Sequence, residues 1–170
     1  MHTIKRPLPT ILLAWFAMLG VDFLLHGGLL AGLYINDSPF LLSPLESFSR
    51  IPLGYSGFFL LALMLVWLMP RFNLVSWKAA FWFGIRLGAI IWGAFVLGLI
   101  SISTIEIPLA LAWFLGQTLE LGVGAVVVER TSKATSLRRI AWLVLLGVII
   151  AFVITIVLQS SGLVPIIRIQ

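Results

Sequence analysis

Five stretches of the chain are almost wholly apolar, and short polar segments separate them. Runs of this length have no room for a soluble fold's polar face. They predict an all-α polytopic membrane helix bundle with five transmembrane helices, since a span needs ~20 apolar residues. The predicted spans are about residues 8–33, 51–69, 77–102, 107–128 and 137–158. Prolines punctuate them. Pro7 and Pro9 open the first and Pro108 the first turn of the fourth, where a missing N–H costs little, and Pro70 stops the second. The third and fourth are joined by only residues 103–106, so they must be antiparallel neighbours. The one long outer loop is 36–50. In it Ser43-Pro44-Leu45-Glu46 has the spacing of a capping box, which predicts a short helix from Pro44 to about Arg50 on the outer surface, with Phe48 at the headgroups.

Composition agrees. The 170 residues are 61% hydrophobic and 10% charged, with a mean hydropathy of +1.16. Soluble domains carry about a quarter charged residues, so water is not the main solvent here. The chain reads as one integral membrane domain, 1–170, and its first span as an uncleaved signal anchor. Cysteine is absent, which excludes disulfides, thiolate metal sites and a cysteine nucleophile. The net charge is +5, but the basic residues flank spans and form no patch with interleaved aromatics, which argues against nucleic acid. Five spans place Lys5, Arg6, Arg71, Lys78, Arg130, Lys133, Arg138 and Arg139 on one side, against Arg50 and Arg168 on the other. The positive-inside rule then predicts N-terminus in and C-terminus out. Trp67, Phe72, Trp77 and Trp142 fall near the predicted cytoplasmic interface, as an aromatic belt requires.

Ionisable residues inside the spans carry the functional signal, because each costs roughly 2.5–3.5 kcal/mol at membrane depth. Asp22 falls near the midplane of the first helix, and His26 one turn further out. Arg86 on the third helix and Glu120 on the fourth are predicted at one depth, slightly to the cytoplasmic side, with Gln117 near the midplane. An Arg86–Glu120 ion pair is the most economical way to bury both, with Asp22 joining through Gln117. The result would be a polar seam of the first, third and fourth helices, closed by the other two. Gly84 and Gly88, and the row Gly116, Glu120, Gly124, support close helix approach. A close Asp22–His26 pair can share one proton in a way that responds to pH. The alternative is that the cluster only fixes packing and register.

Other chemistries find less support. Gly54-Tyr55-Ser56-Gly57 matches the G-x-S-G motif of rhomboid-type proteases, with Ser56 close to the depth of His26. Yet no histidine follows the serine, the histidine–asparagine motif is missing, and one span too few is present. A bis-histidine haem site is impossible with one membrane histidine, because His2 is in the tail. Asp22, His26 and Glu120 could in principle hold zinc, but no metal-ligand spacing such as H-E-x-x-H occurs. No cofactor is expected.

Asp22-Phe23-Leu24-Leu25-His26-Gly27-Gly28-Leu29-Leu30, followed by Leu33-Tyr34, resembles a pattern in small bacterial multi-span membrane proteins catalogued as domains of unknown function. These also tend to carry a carboxylate followed by glycines in a late helix, as do Glu120, Gly122 and Gly124. The resemblance implies a bacterial inner-membrane protein and brings no activity with it. The expected function is therefore a proton- or cation-responsive intramembrane site in a small transporter or transport-linked subunit. Its candidate residues are Asp22, His26, Arg86, Gln117 and Glu120. The alternative is a non-catalytic assembly, structural or sensing subunit that binds a membrane partner or a second copy.

Overall fold

The structure is a computed structural model that describes residues 4–34, 39–72 and 74–165. His2, Arg168 and the Asn36 end of the outer loop lie outside the described residues. Five helices are long and apolar enough to cross a membrane: α1 (Pro7–Asp22, continuing to Leu29), α2 (Pro44–Leu68), α3 (Trp77–Ile102), α4 (Ile107–Lys133) and α5 (Leu137–Ser160). No strand occurs among the described residues.

Besides α4, which runs on to Lys133 where its span was predicted to end near 128, two elements differ from their prediction. The first helix is not α-helical throughout. At Phe23 it changes to a π-helical segment, Phe23–Leu29, followed by a 3-10 turn, Ala31–Tyr34. The Leu30 N–H reaches back five residues to the Leu25 carbonyl at 2.7 Å. Gly27 and Gly28 weaken the ordinary helix here, and α5 holds the altered backbone. Gln159 Nε2 donates to the Gly27 carbonyl at 2.8 Å, and Phe23 stacks on Phe152 with centroids 3.9 Å apart. The second difference concerns α2. The Ser43 capping box forms: the Ser43 side chain accepts from the Glu46 N–H, and the Glu46 carboxylate accepts from the Ser43 N–H. But the helix it starts is not a separate surface helix. It runs through Pro52 into the span as one element. The capping signal located the true start of α2, and the proline did not break it.

Among the spans α4 is central: 56% of its apolar window is buried, against 11% for α3. One face of α4 meets α3, where Gly84 and Gly88 let the backbones touch. A Cβ on Gly84 would lie 2.8 Å from Gly122 Cα, and one on Gly88 2.9 Å from Thr118 Cα. The opposite face meets α1, where Gly124 makes room for Met18, whose Sδ would be 2.7 Å from an added Cβ. Met18, Leu65, Leu121 and Val128 form the fully buried centre of the core. α2 and α5 flank α1, and the Trp15 indole donates to the Tyr55 carbonyl at 2.8 Å across the α1–α2 contact. α3 rests on α4 and leaves most of its surface outward.

Candidate functional site

Two elements bring the site together. The last residue of α1 is Asp22, the π segment that follows presents His26, and α4 presents Glu120, thirteen residues from each end of that helix. His26 Nε2 lies 3.9 Å from Asp22 Oδ1 and 3.8 Å from Glu120 Oε1. All three donor atoms lie within 4.8 Å of one another. The side chains are enclosed: 19% exposed for Asp22, 14% for His26 and 0% for Glu120. Gly116 clears the space for the ring, since a Cβ there would stand 2.9 Å from His26 Nε2.

The far side of the imidazole is fixed by two residues that are not among the candidate site residues. His26 Nδ1 is 2.6 Å from the Tyr34 hydroxyl, and Trp113 Nε1 donates to the same oxygen at 2.7 Å. An indole N–H can only donate, so the Tyr34 oxygen accepts from Trp113 and holds Nδ1 with its remaining hydrogen-bonding capacity. Nε2 is the ring edge that faces both carboxylates. Tyr34 enters the sequence reading only through the string Leu33-Tyr34, and Trp113 is given no role there. The available signal was the spacing of Tyr34, eight residues beyond His26.

Distances of 3.8–3.9 Å are too long for direct hydrogen bonds. Both Glu120 carboxylate oxygens and His26 Nε2 are buried without a hydrogen-bond partner. The Gln117 carbonyl oxygen is also buried and unpartnered, and Gln117 does not bridge Asp22 to Glu120.

The expected Arg86–Glu120 pair does not form. Arg86 is exposed on α3 and makes no ion pair among the described residues. The reason lies in helix geometry. Arg86 is two residues from Gly84 and two from Gly88, and two residues turn a helix by roughly 200°. The glycine face meets α4, so Arg86 points away from it. The seam therefore involves the first and fourth helices and not the third. Nor are Ser56 and His26 brought together: Ser56 Oγ donates to the Leu53 carbonyl of its own helix at 2.6 Å, so the protease-like constellation is not formed.

What remains is two carboxylates and one imidazole in a closed space, with no Lys or Arg paired to them among the described residues. Uncompensated charge in such a closed apolar setting is costly. Comparison with protein-family models, with curated proteins and with solved structures finds no match to this chain.

Proposed function

We propose that Asp22, His26 and Glu120 form a proton- or cation-responsive intramembrane site in a small transporter or transport-linked subunit of the bacterial inner membrane. The observation that carries this is Glu120, fully buried with both carboxylate oxygens unpartnered and an imidazole 3.8 Å away. A pair kept only for packing would have its hydrogen bonds made. The spacing also suits a guest. Ligands at about 2.0–2.2 Å from one ion stand on the order of 3–3.5 Å apart, slightly closer than the gaps here. The π segment supports the same reading, because π-helical turns are costly and recur at functional sites.

The test is flux of protons and of mono- and divalent cations in proteoliposomes, with Asp22→Asn, His26→Ala and Glu120→Gln beside the parent chain. A flux lost in all three supports the reading. One left unchanged by every substitution removes it.

A second reading, a subunit that binds a membrane partner, is favoured by Arg86. Its outward position on the least buried helix suits an acidic residue of another transmembrane chain. Co-purification of a stoichiometric partner from native membrane, lost in Arg86→Gln, would support that role.

A further inference from the structure

A cleft of about 930 Å³ lies away from the polar cluster. It opens between α4 and α5, with α1 as its floor. These two helices are joined only by residues 134–136, yet each is held against α1 and hardly against the other. Gly20 sets that arrangement by letting Val148 close in, where an added Cβ would be 2.8 Å from Val148 Cγ2. Splayed helices leave a gap that no side chain of the described residues fills.

Its length and polarity are specific. Along α5 the cleft runs from Arg139 to Ile154, ~22 Å at 1.5 Å per residue. One leaflet with its headgroups is ~20–22 Å deep. The deep end is wholly apolar. The polar lining residues gather at the mouth: Glu129, Arg130, Lys133, Thr135, Ser136 and Arg139. Three cations there meet one carboxylate. Glu129 is already engaged, 2.7 Å from Lys133 Nζ and 3.9 Å from Arg130 Nε. Lys133 also donates to the carbonyls of Leu74 and Val75. Arg139 has no acidic partner among the described residues, and Ser136 caps α5 without a side-chain hydrogen bond. The N-terminal end of α5, with its unpaired N–H groups, adds positive potential at the same mouth.

We propose that this cleft binds one anionic phospholipid of the leaflet on the basic side. Its phosphate sits among Arg139, Arg130 and the Ser136 hydroxyl, and an acyl chain lies along Gly147 and Ala151 toward Ile154. An ordinary boundary lipid needs only an apolar wall. Surplus cations at one end of a leaflet-deep cleft select for charge as well as for chain.

The experiment is native mass spectrometry of the intact chain released from detergent, titrated with phosphatidylglycerol, with phosphatidylcholine of the same chains, and with inorganic phosphate. Phosphatidylglycerol should bind at least ten-fold more tightly than phosphatidylcholine, and millimolar phosphate should not displace it. Arg130→Gln with Arg139→Gln should erase the preference. Gly147→Leu should weaken both lipids, because it fills a wall position with nothing within 4 Å and leaves the protein unstrained. Circular dichroism checks that each variant is folded. If the double arginine variant is not, Gly147→Leu and the comparison of the two lipids still decide. Equal retention of the lipids, indifference to Gly147→Leu, or displacement by phosphate alone would each overturn the proposal.

Discussion

Tyr34 orients the His26 ring through a single hydroxyl, so removing that oxygen separates the geometry of the site from its charge. Tyr34→Phe leaves Asp22, His26 and Glu120 in place but takes a partner from both His26 Nδ1 and Trp113 Nε1. Loss of buried partners costs about 1–3 kcal/mol, and a misoriented histidine weakens a bound cation ~10- to 100-fold. Thermal denaturation in detergent and calorimetric cation titration should show both effects. Gly116→Ala is the steric counterpart. Its methyl would occupy the position 2.9 Å from His26 Nε2, so cation binding should be lost while helix content is kept. Glu120→Gln, by contrast, should raise thermal stability in cation-free detergent, since it removes a buried acid that lacks a partner. At this scale the sequence exposed Asp22, His26 and Glu120, because a charged residue stands out in an apolar run. It did not expose their partner set. Depth alone made Arg86 and Glu120 neighbours, whereas rotation about the helix axis separates them. That rotation was legible: Gly84 and Gly88 could not face α4 together with an arginine midway between them.

Helix contacts follow the same logic one level up. The α3–α4 pairing depends on small residues, so its sensitivity should be sharply local. Gly84→Ala would drive a methyl into the Leu121 carbonyl oxygen and Gly122 Cα, and an overpacked contact costs about 1–3 kcal/mol. Gly98→Ala, on the same helix but with nothing within 4 Å, should instead stabilise by about 0.5–1 kcal/mol through helix propensity alone. Opposite shifts in melting temperature between these two substitutions would confirm that the α3–α4 glycine contact, and not α3 in general, carries the stability. Apolar runs and prolines placed α3 within its observed bounds because both ends carry sharp polar signals. The π segment was invisible to that reading. Gly27 and Gly28 loosen the ordinary helix, but what holds the altered form is distant in sequence, in Gln159 and Phe152 of α5, and a glycine pair alone does not announce a change from four- to five-residue hydrogen bonds. The extension of α4 to Lys133 was missed for a related reason. Glu129 and Arg130 read as the end of a span, yet Glu129 is buried and joined to Lys133 at 2.7 Å.

For the whole molecule, the alternation of five helices gathers Lys5, Arg6, Arg71, Lys78, Arg130, Lys133, Arg138 and Arg139 at one end. Only Arg50 among the described basic residues stands at the other. The positive-inside rule expects the basic end of such a bundle toward the cytoplasm. Asp22 and His26 lie in the opposite half of the first span, and Tyr34 and Trp113 stand on that side of them. With the basic end cytoplasmic, as that rule expects, the site would lie on the outer side of the midplane, with Tyr34 and Trp113 beyond it. Orientation and access can be read in a single experiment, because the chain has no cysteine of its own. Ser43→Cys and Ser136→Cys place single thiols at opposite ends of the bundle. In intact cells a membrane-impermeant maleimide should label Ser43→Cys and spare Ser136→Cys, and the pattern should be reversed in inside-out vesicles. A cation added from the Ser43 side should then reach the site first, and Trp113→Ala should hasten its entry by removing one of the two covering side chains. Labelling of the opposite thiol in intact cells would invert the bundle and, with it, the side from which Asp22, His26 and Glu120 are filled.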